Sequence, residues 1–284
     1  GDGGPRQPAY PDMGLPESEI TLARLLRGGG YHTVQIGKWH LGDSPRFRAY
    51  AHGFDESLSL QHAASMFLPE DDPRVVNARS ENDPIDQFLY AAAPWGVRFM
   101  DGPVFEPDRY LTDYLTDHAV RVIGANRNRP FFLYLAYNAP HTPLQATRED
   151  YEALAAIPDH RLRVYAAMVR SLDRNIGRVL DALRANGLDR DTLVIFTNDN
   201  GGEWLSRNAP FFSRKWSLWE GGLRVPAIVR WPGRIPAGRV TRQVGITMDF
   251  TATILAAAGA TVPAETRLEG IDLLPDRENT RLNS

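Results

Sequence analysis

The chain has 284 residues, 43% of them hydrophobic and 24% charged, with a formal net charge of -3. That size and balance suit a globular chain with a substantial core, built as one large α/β domain or two modest ones. The mild negative charge, with no basic run, argues against a nucleic-acid binder, no apolar run is long enough to cross a bilayer, and the absence of cysteine excludes disulfides, thiolate metal sites and a cysteine nucleophile among these residues.

In chain order, helical and strand patterns alternate, which predicts a mostly parallel sheet covered by helices on both faces. Ser18 or Thr21 can cap a first helix that places Ile20, Ala23, Leu25 and Leu26 to one side, and Gly28-Gly29-Gly30 stops it. A strand over His32 to Ile36 follows. The stretch 43–108 is rich in proline, aspartate and isolated aromatics, and reads as a long irregular insertion rather than a connector. A helix over Leu111 to Ala125 turns Leu115, Ala119, Val122 and Ile123 inward. Phe131 to Tyr137 is apolar on both parities, as expected of a strand buried on both faces.

A long helix from His160 to Asn186 repeats Leu162, Tyr165, Val169, Leu172, Ile176, Val179 and Leu183 every three or four residues, and Asn186-Gly187 ends it. Two more apolar strands are predicted at Thr192 to Thr197 and Val225 to Val229. A last helix runs from about Asp249 to Ala258 and ends at Gly259.

Polar loops follow three of these strands. Lys38 and His40, in Gly37-Lys38-Trp39-His40-Leu41-Gly42, put a cation and a proton carrier on one short loop, a pairing suited to an anionic ester, or equally an ordinary glycine-flanked surface loop. In Asn138-Ala139-Pro140-His141-Thr142-Pro143 two prolines limit the backbone around His141, which can give a proton to a departing alkoxide or simply stand as a solvent-exposed loop histidine. Asp199-Asn200 offers hard oxygens to Ca²⁺ or Mg²⁺, although Asp-Asn-Gly-Gly is also strong turn chemistry and two residues do not fill a coordination shell of about six oxygens. If the strands are parallel, the three loops share one rim, where open α/β sheets bind ligands.

Lys215, ahead of Trp216, can reach that rim or merely solvate. Glu220 and Arg224 can pair to hold their loop, or either can be a solvated surface charge. His32, His52, His62, His118 and His160 lack comparable settings and read as structural or surface residues. Phe67, Tyr90, Trp95, Phe99 and Phe105 in the insertion can stack on a sugar or aryl ring, or equally form a satellite core.

Together these segments resemble the sulfatase family of the alkaline-phosphatase-like superfamily. The resemblance runs from about Leu15 to Pro275. It takes in Gly30-Tyr31-x-Thr33-x-x-x-Gly37-Lys38-Trp39-His40-Leu41-Gly42, Arg129-Pro130-Phe131-Phe132, Ala139-Pro140-His141-Thr142-Pro143 and Asp173-x-x-Ile176-Gly177. It continues through Phe196-Thr197-Asn198-Asp199-Asn200-Gly201, Glu220-Gly221-Gly222-Leu223-Arg224-Val225-Pro226 and Met248-Asp249-Phe250-Thr251-Ala252-Thr253. It implies a sulfuric ester hydrolase in which Asp199 and Asn200 hold part of a Ca²⁺ shell (or Mg²⁺), Lys38 and Lys215 grip the sulfate oxygens, His40 supports the nucleophile, and His141 binds sulfate and helps the alcohol depart.

The family's nucleophile is a formylglycine hydrate made from Cys/Ser-x-Pro-x-Arg. That motif and the paired aspartates completing the metal shell are missing here, and Ser44-Pro45-Arg46 has the wrong spacing. The expectation is therefore a single sulfatase-type catalytic domain over 1–284 that is a fragment, lacking the nucleophile segment and the C-terminal subdomain, and inactive by itself. Gly1 at the start, with no visible signal peptide, fits a processed, engineered or truncated beginning. The resemblance also implies an exported or periplasmic parent and a sulfated small molecule or glycan as partner, and leaves the oligomeric state open. Two other readings stand beside it: a phosphatase or phosphonate monoester hydrolase of the same superfamily, and a non-catalytic relative that binds sulfated glycans.

Overall fold

The computed structural model describes residues 13–60, 64–81, 84–93, 95–264 and 266–274. Along the chain these form α1 (Leu22–Gly28), β1 (His32–Gly37), two short 3-10 turns, β2 (Glu56–Leu60), β3 (Val75–Asn77), α2 (Pro84–Ala92), β4 (Val97–Phe99) and β5 (Val104–Phe105). Then come α3 (Leu111–Ala125), β6 (Phe131–Ala136), β7 (Gln145–Thr147), α4 (Arg148–Glu152), α5 (His160–Ala185), β8 (Val194–Thr197), α6 (Glu220–Leu223), β9 (Ala227–Arg230) and α7 (Thr247–Ala258). His62, read as structural or surface, lies outside the described residues.

The main sheet has the order β5-β4-β2-β1-β6. Its core is parallel: β1 runs between β2 and β6, with Gly37 opposite both Ser59 and Ala136. The period of two in β1 divides its side chains. Val34 and Ile36 join Leu58 and Leu60 in a core closed by Leu115 and Ala119 of α3 and Val164, Ala167 and Met168 of α5. Thr33 and Gln35 face the other way and are fully buried, but each is satisfied. The Thr33 hydroxyl donates to the Gly53 carbonyl at 2.7 Å, and Gln35 donates to the Gly37 carbonyl while accepting from Ser59. On that second face Leu25 and Leu26 of α1 pack with Leu255 of α7 and Phe132. Burial of each such side chain contributes about 1.5–3 kcal/mol.

Thr21 caps α1, its hydroxyl accepting from the Arg24 amide at 3.1 Å, so the first helix begins one residue later and the exposed Ile20 lies outside it. Its hydroxyl also donates to the carbonyl of His52, a buried histidine stacked on Trp39. His32 bonds Glu56 through Nε2 at 2.8 Å, and His160 bridges Tyr151 and the Asn77 carbonyl.

Several expectations are corrected. The stretch 43–108 is not irregular: it supplies β2, β4 and β5, three of the five main strands. The alternation Ser57-Leu58-Ser59-Leu60 carries a period of two that its flanking prolines and aspartates obscure. Antiparallel pairing enters with these strands, at β2–β4 and β4–β5. Phe67 and Tyr90 are core residues, Phe67 stacking on Tyr110 and Tyr90 donating to the Leu144 carbonyl at 2.6 Å; Phe99 and Phe105 stay partly exposed.

β8 does not join the main sheet among the described residues; it pairs antiparallel with β9 in a separate two-stranded sheet. Both β6 and β8 are half-buried rather than buried on both faces, because each has one edge without a strand partner among the described residues. The buried stripe of α5 is also rotated from the apolar repeat. Leu162 and Val169 are exposed, while Val164, Ala167, Met168, Ser171 and Asn175 face inward. Asn175 is tolerated there because its amide donates to Asp113 of α3 at 2.8 Å and to the Ser171 carbonyl.

Candidate active site

The register of β1 against β6 places two polar loops side by side. Gly37 ends β1 opposite Ala136, and the Lys38 amide donates to the Ala136 carbonyl at 2.8 Å. Gly37 takes a φ of +104°, and a Cβ there would lie 2.0 Å from the Ala136 oxygen, so only glycine allows this close exit. Lys38 and His40 thus leave from the same end of the parallel pair as the loop carrying His141. His40 itself sits at φ +51°, in the left-handed region that costs a non-glycine residue about 1–2 kcal/mol.

The His141 loop is a tight turn whose amide donates to the Asn138 carbonyl at 2.8 Å, and both X-Pro bonds in it are cis. His141 Nδ1 lies 2.7 Å from the Thr142 carbonyl oxygen. A carbonyl only accepts, so Nδ1 carries the hydrogen and Nε2 is the atom free to act on a ligand. Asn138 is buried, and among the described residues its Oδ1 has no hydrogen-bond partner, an open acceptor in the same turn.

The third and fourth loops form one knot. Val194 of β8 packs on the cluster of Ile123, Ala182 and Leu183, the same cluster that Phe131 and Leu133 of β6 pack on. Beyond Thr197, the Gly201 amide donates to the Gly222 carbonyl at 2.9 Å and the Lys215 amide to the Gly202 carbonyl at 3.0 Å. Asn208 ties Gly202 and Ser213 together with its carboxamide. A Cβ at Gly201 would meet the Gly221 oxygen at 1.9 Å, so this approach also needs glycine. Lys215 Nζ stands 5.5 Å from the Trp216 ring centroid, and Arg224 pairs with Glu220 at 3.5 Å, holding the turn as the sequence suggested.

Charge shows what the loops share. Burial pulls the Lys38 ammonium below its ordinary value; Asp199 opposes that shift and Lys215 adds to it. His40 is lowered by burial and then by Lys38, with Lys215 and Asp199 also acting on it. His141 is lowered mainly by burial, against the Thr142 hydrogen bond, with Lys215, Lys38 and Asp199 in range. Four segments far apart in sequence therefore bring Lys38, His40, His141, Asp199 and Lys215 into one electrostatic neighbourhood. Burial first, and the two lysines after it, disfavour a charge on both histidines, and a group of positive charges with few counter-charges suits an anion.

Asp199 is exposed and makes no hydrogen bond or ion pair among the described residues. Asn200 donates from Nδ2 to the Gly201 carbonyl at 2.9 Å, which leaves Oδ1 open. These two oxygens suit a hard divalent cation but are only part of a shell, and among the described residues no three His, Asp or Glu side chains group to hold a metal. Spacing alone did not find a cavity of about 220 Å³ that shares His40 and is lined by Arg48, Ser57, Arg98 and Met100, because it is assembled by strand pairing inside the stretch read as irregular.

Residues 4–260 match the family described as Sulfatase. N-acetylgalactosamine-6-sulfatase of Canis lupus familiaris is 36% identical over 274 residues, covering 92% of this chain and 49% of that protein. The structure of Ps i-CgsB in complex with k-i-k-neocarrahexaose is similar at a TM-score of 0.81 and 33% identity, over 94% of this chain and 59% of that one. Phosphonate monoester hydrolase SpPMH from Silicibacter pomeroyi is similar in fold alone, with a TM-score of 0.61 at 21% identity over 92% of this chain and 62% of that one. The chain spans about half the length of the curated relatives it matches.

Proposed function

The chain belongs to the sulfatase family, and from that premise we propose that the whole protein hydrolyses a sulfate monoester at the rim formed by Lys38, His40, His141, Asp199 and Lys215. The observation that supports this most is the shared electrostatic neighbourhood of two lysines and two histidines drawn from separate loops.

Lys38 and Lys215 neutralise the sulfate oxygens, and they do so most strongly as charge builds on them in the transition state. His141 acts at the leaving group. As the S–O bond breaks, its electron pair goes to the departing oxygen, and a proton from Nε2 of the His141 imidazolium ends there, releasing an alcohol. Because Nδ1–H is committed to Thr142, only the doubly protonated ring can give that proton. Burial favours the neutral form of the free ring, and negative charge from an arriving sulfate favours the protonated one.

Asp199 and Asn200 would hold two sites of a Ca²⁺ or Mg²⁺ ion, which supplies further positive charge to the sulfate oxygens. The residues present do not fit the family's formylglycine, since there is no cysteine and no Ser-x-Pro-x-Arg; the attack at sulfur belongs to none of them. The 284 residues alone are accordingly expected to show no turnover of an aryl sulfate.

A sulfated saccharide is the substrate class we favour, supported by the likeness to N-acetylgalactosamine-6-sulfatase and to a structure holding k-i-k-neocarrahexaose. The test is hydrolysis of 4-nitrophenyl sulfate against 4-nitrophenyl phosphate by the whole protein, with His141→Asn as the variant. The sulfate ester should be preferred, and His141→Asn should lower kcat/KM by roughly 10²–10⁴-fold. Preference for the phosphate ester would move the protein to the phosphatase branch, and binding of sulfated saccharides with no turnover would make it a non-catalytic relative.

A further inference from the structure

We propose that the cavity beside His40 is a subsite for a second anionic group of the substrate, held by Arg98 and Ser57. The inference rests on the sulfatase reading of the rim and deepens it by giving the substrate a second charge.

The cavity, of about 220 Å³, is lined by Trp39, His40, Asp43, Arg48, Ser57, Ser59, Arg98 and Met100 among others. His40 belongs to both the cavity and the rim, so a group seated here is carried on the ring that bears the sulfate or on the ring next to it. The volume holds several water-sized groups, enough for a sugar substituent. Its back wall is sheet. Ser59 of β2 pairs with Arg98 of β4, and the Met100 amide donates to the Ser57 carbonyl at 2.8 Å, so these side chains stand on a fixed register.

The two arginines differ. Arg48 is already engaged: it pairs with Asp101 and donates from Nε to the Asp43 carbonyl at 2.9 Å. Arg98 is half-buried and donates once, from Nη1 to the Gly102 carbonyl at 2.5 Å, with no carboxylate at ion-pair distance among the described residues. A guanidinium has five N–H donors in a planar fork, so most of the Arg98 fork faces no protein acceptor. Ser57 adds a donor. It is 2% exposed, and among the described residues its hydroxyl meets only the Met100 sulfur at 3.6 Å, a weak acceptor. An unsatisfied fork beside an under-used buried hydroxyl is the donor set a carboxylate or sulfate oxygen pair takes up. Asp43 also lines the cavity, but it is exposed and has a partner of its own.

The experiment is calorimetric binding to the 284-residue chain. The probes are a monosulfated monosaccharide, the same sugar carrying two sulfates, and a disaccharide pairing one sulfate with a uronate. The proteins are wild type, Arg98→Gln, Ser57→Ala and Lys38→Ala, each checked by circular dichroism and melting. Wild type should bind at least one dianionic probe roughly tenfold more tightly than the monosulfate, as a charge-assisted pair predicts. Arg98→Gln should bring that ratio near one, and Ser57→Ala should reduce it; Ser57→Ala carries the test if Arg98→Gln does not fold. The arm showing the gain tells a carboxylate from a second sulfate. A wild-type ratio near one, or a ratio that neither variant changes, overturns the subsite while Lys38-dependent sulfate binding keeps the rim. A dianion gain insensitive to Lys38→Ala overturns the claim that one substrate spans both sites, and binding of no probe overturns subsite and rim together.

Discussion

Gly37→Ala tests how the site is built. Gly37 ends β1 at φ +104°, where an alanine Cβ would stand 2.0 Å from the Ala136 oxygen and 2.8 Å from its carbon. Those atoms are backbone of the neighbouring strand and do not rotate away. Relief requires either separating the ends of β1 and β6 or rotating the Gly37 peptide, and both break the 2.8 Å bond from the Lys38 amide to Ala136. The left-handed backbone costs alanine about 1–2 kcal/mol, overpacking against a rigid wall about 1–3, and the lost hydrogen bond about 1, for a destabilisation of about 3–6 kcal/mol. That is a large part of the 5–15 kcal/mol typical of a folded domain. Gly28→Ala is the control: it lies at the end of α1, nothing stands within 4 Å of its Cβ, and its backbone is not left-handed, so alanine should be neutral or slightly stabilising. Urea unfolding of the two variants decides. If Gly37→Ala falls within about 1 kcal/mol of Gly28→Ala, the close exit of the Lys38 loop is not what holds the rim together.

Two further outcomes follow from the same structure. Burial lowers the folded-state pKa of both His40 and His141 below 6.5, so between their folded values and 6.5 the unfolded chain binds more protons and stability rises with pH. Acidification from pH 7.5 to below pH 6.5 should therefore cost wild type more stability than it costs His141→Asn in denaturant titrations; equal losses would show that the histidine does not titrate with folding. Asp150 is fully buried, accepts from Thr147, and pairs with both Arg170 and Arg174. Asp150→Ala removes the common partner of two half-exposed arginines and the first-turn acid of α4, and should destabilise by about 3–5 kcal/mol in urea; a loss under about 1 kcal/mol would mean that solvent already screens the network.

Local signals made part of this legible in the sequence. The bounds of α3 and the close of α7 at Gly259, φ +61°, followed from amphipathic spacing and a glycine stop. The loops bearing Lys38, His141 and Asp199 could be placed at strand ends because each follows an apolar run. Pairing was not legible. Nothing in Val194 to Thr197 says that its partner is β9, running the opposite way, and nothing local marks Ser59 and Arg98 as partners, since a register between residues 39 apart is set by tertiary packing. The face of α5 misled for a related reason: Asn175 and Ser171 are polar by type but buried by their hydrogen bonds, so hydrophobicity alone rotated the stripe.

The central claim is that Lys38 and Lys215, 177 residues apart in the sequence, grip one anion, and a double-mutant cycle on sulfate affinity tests it most directly. Inorganic sulfate is titrated into wild type, Lys38→Met, Lys215→Met and the double variant. If both ammonium groups face the same ion, the two losses are coupled and the double variant departs from their sum by about 0.5–3 kcal/mol. Strict additivity, or a loss confined to one lysine, would contradict a shared cradle.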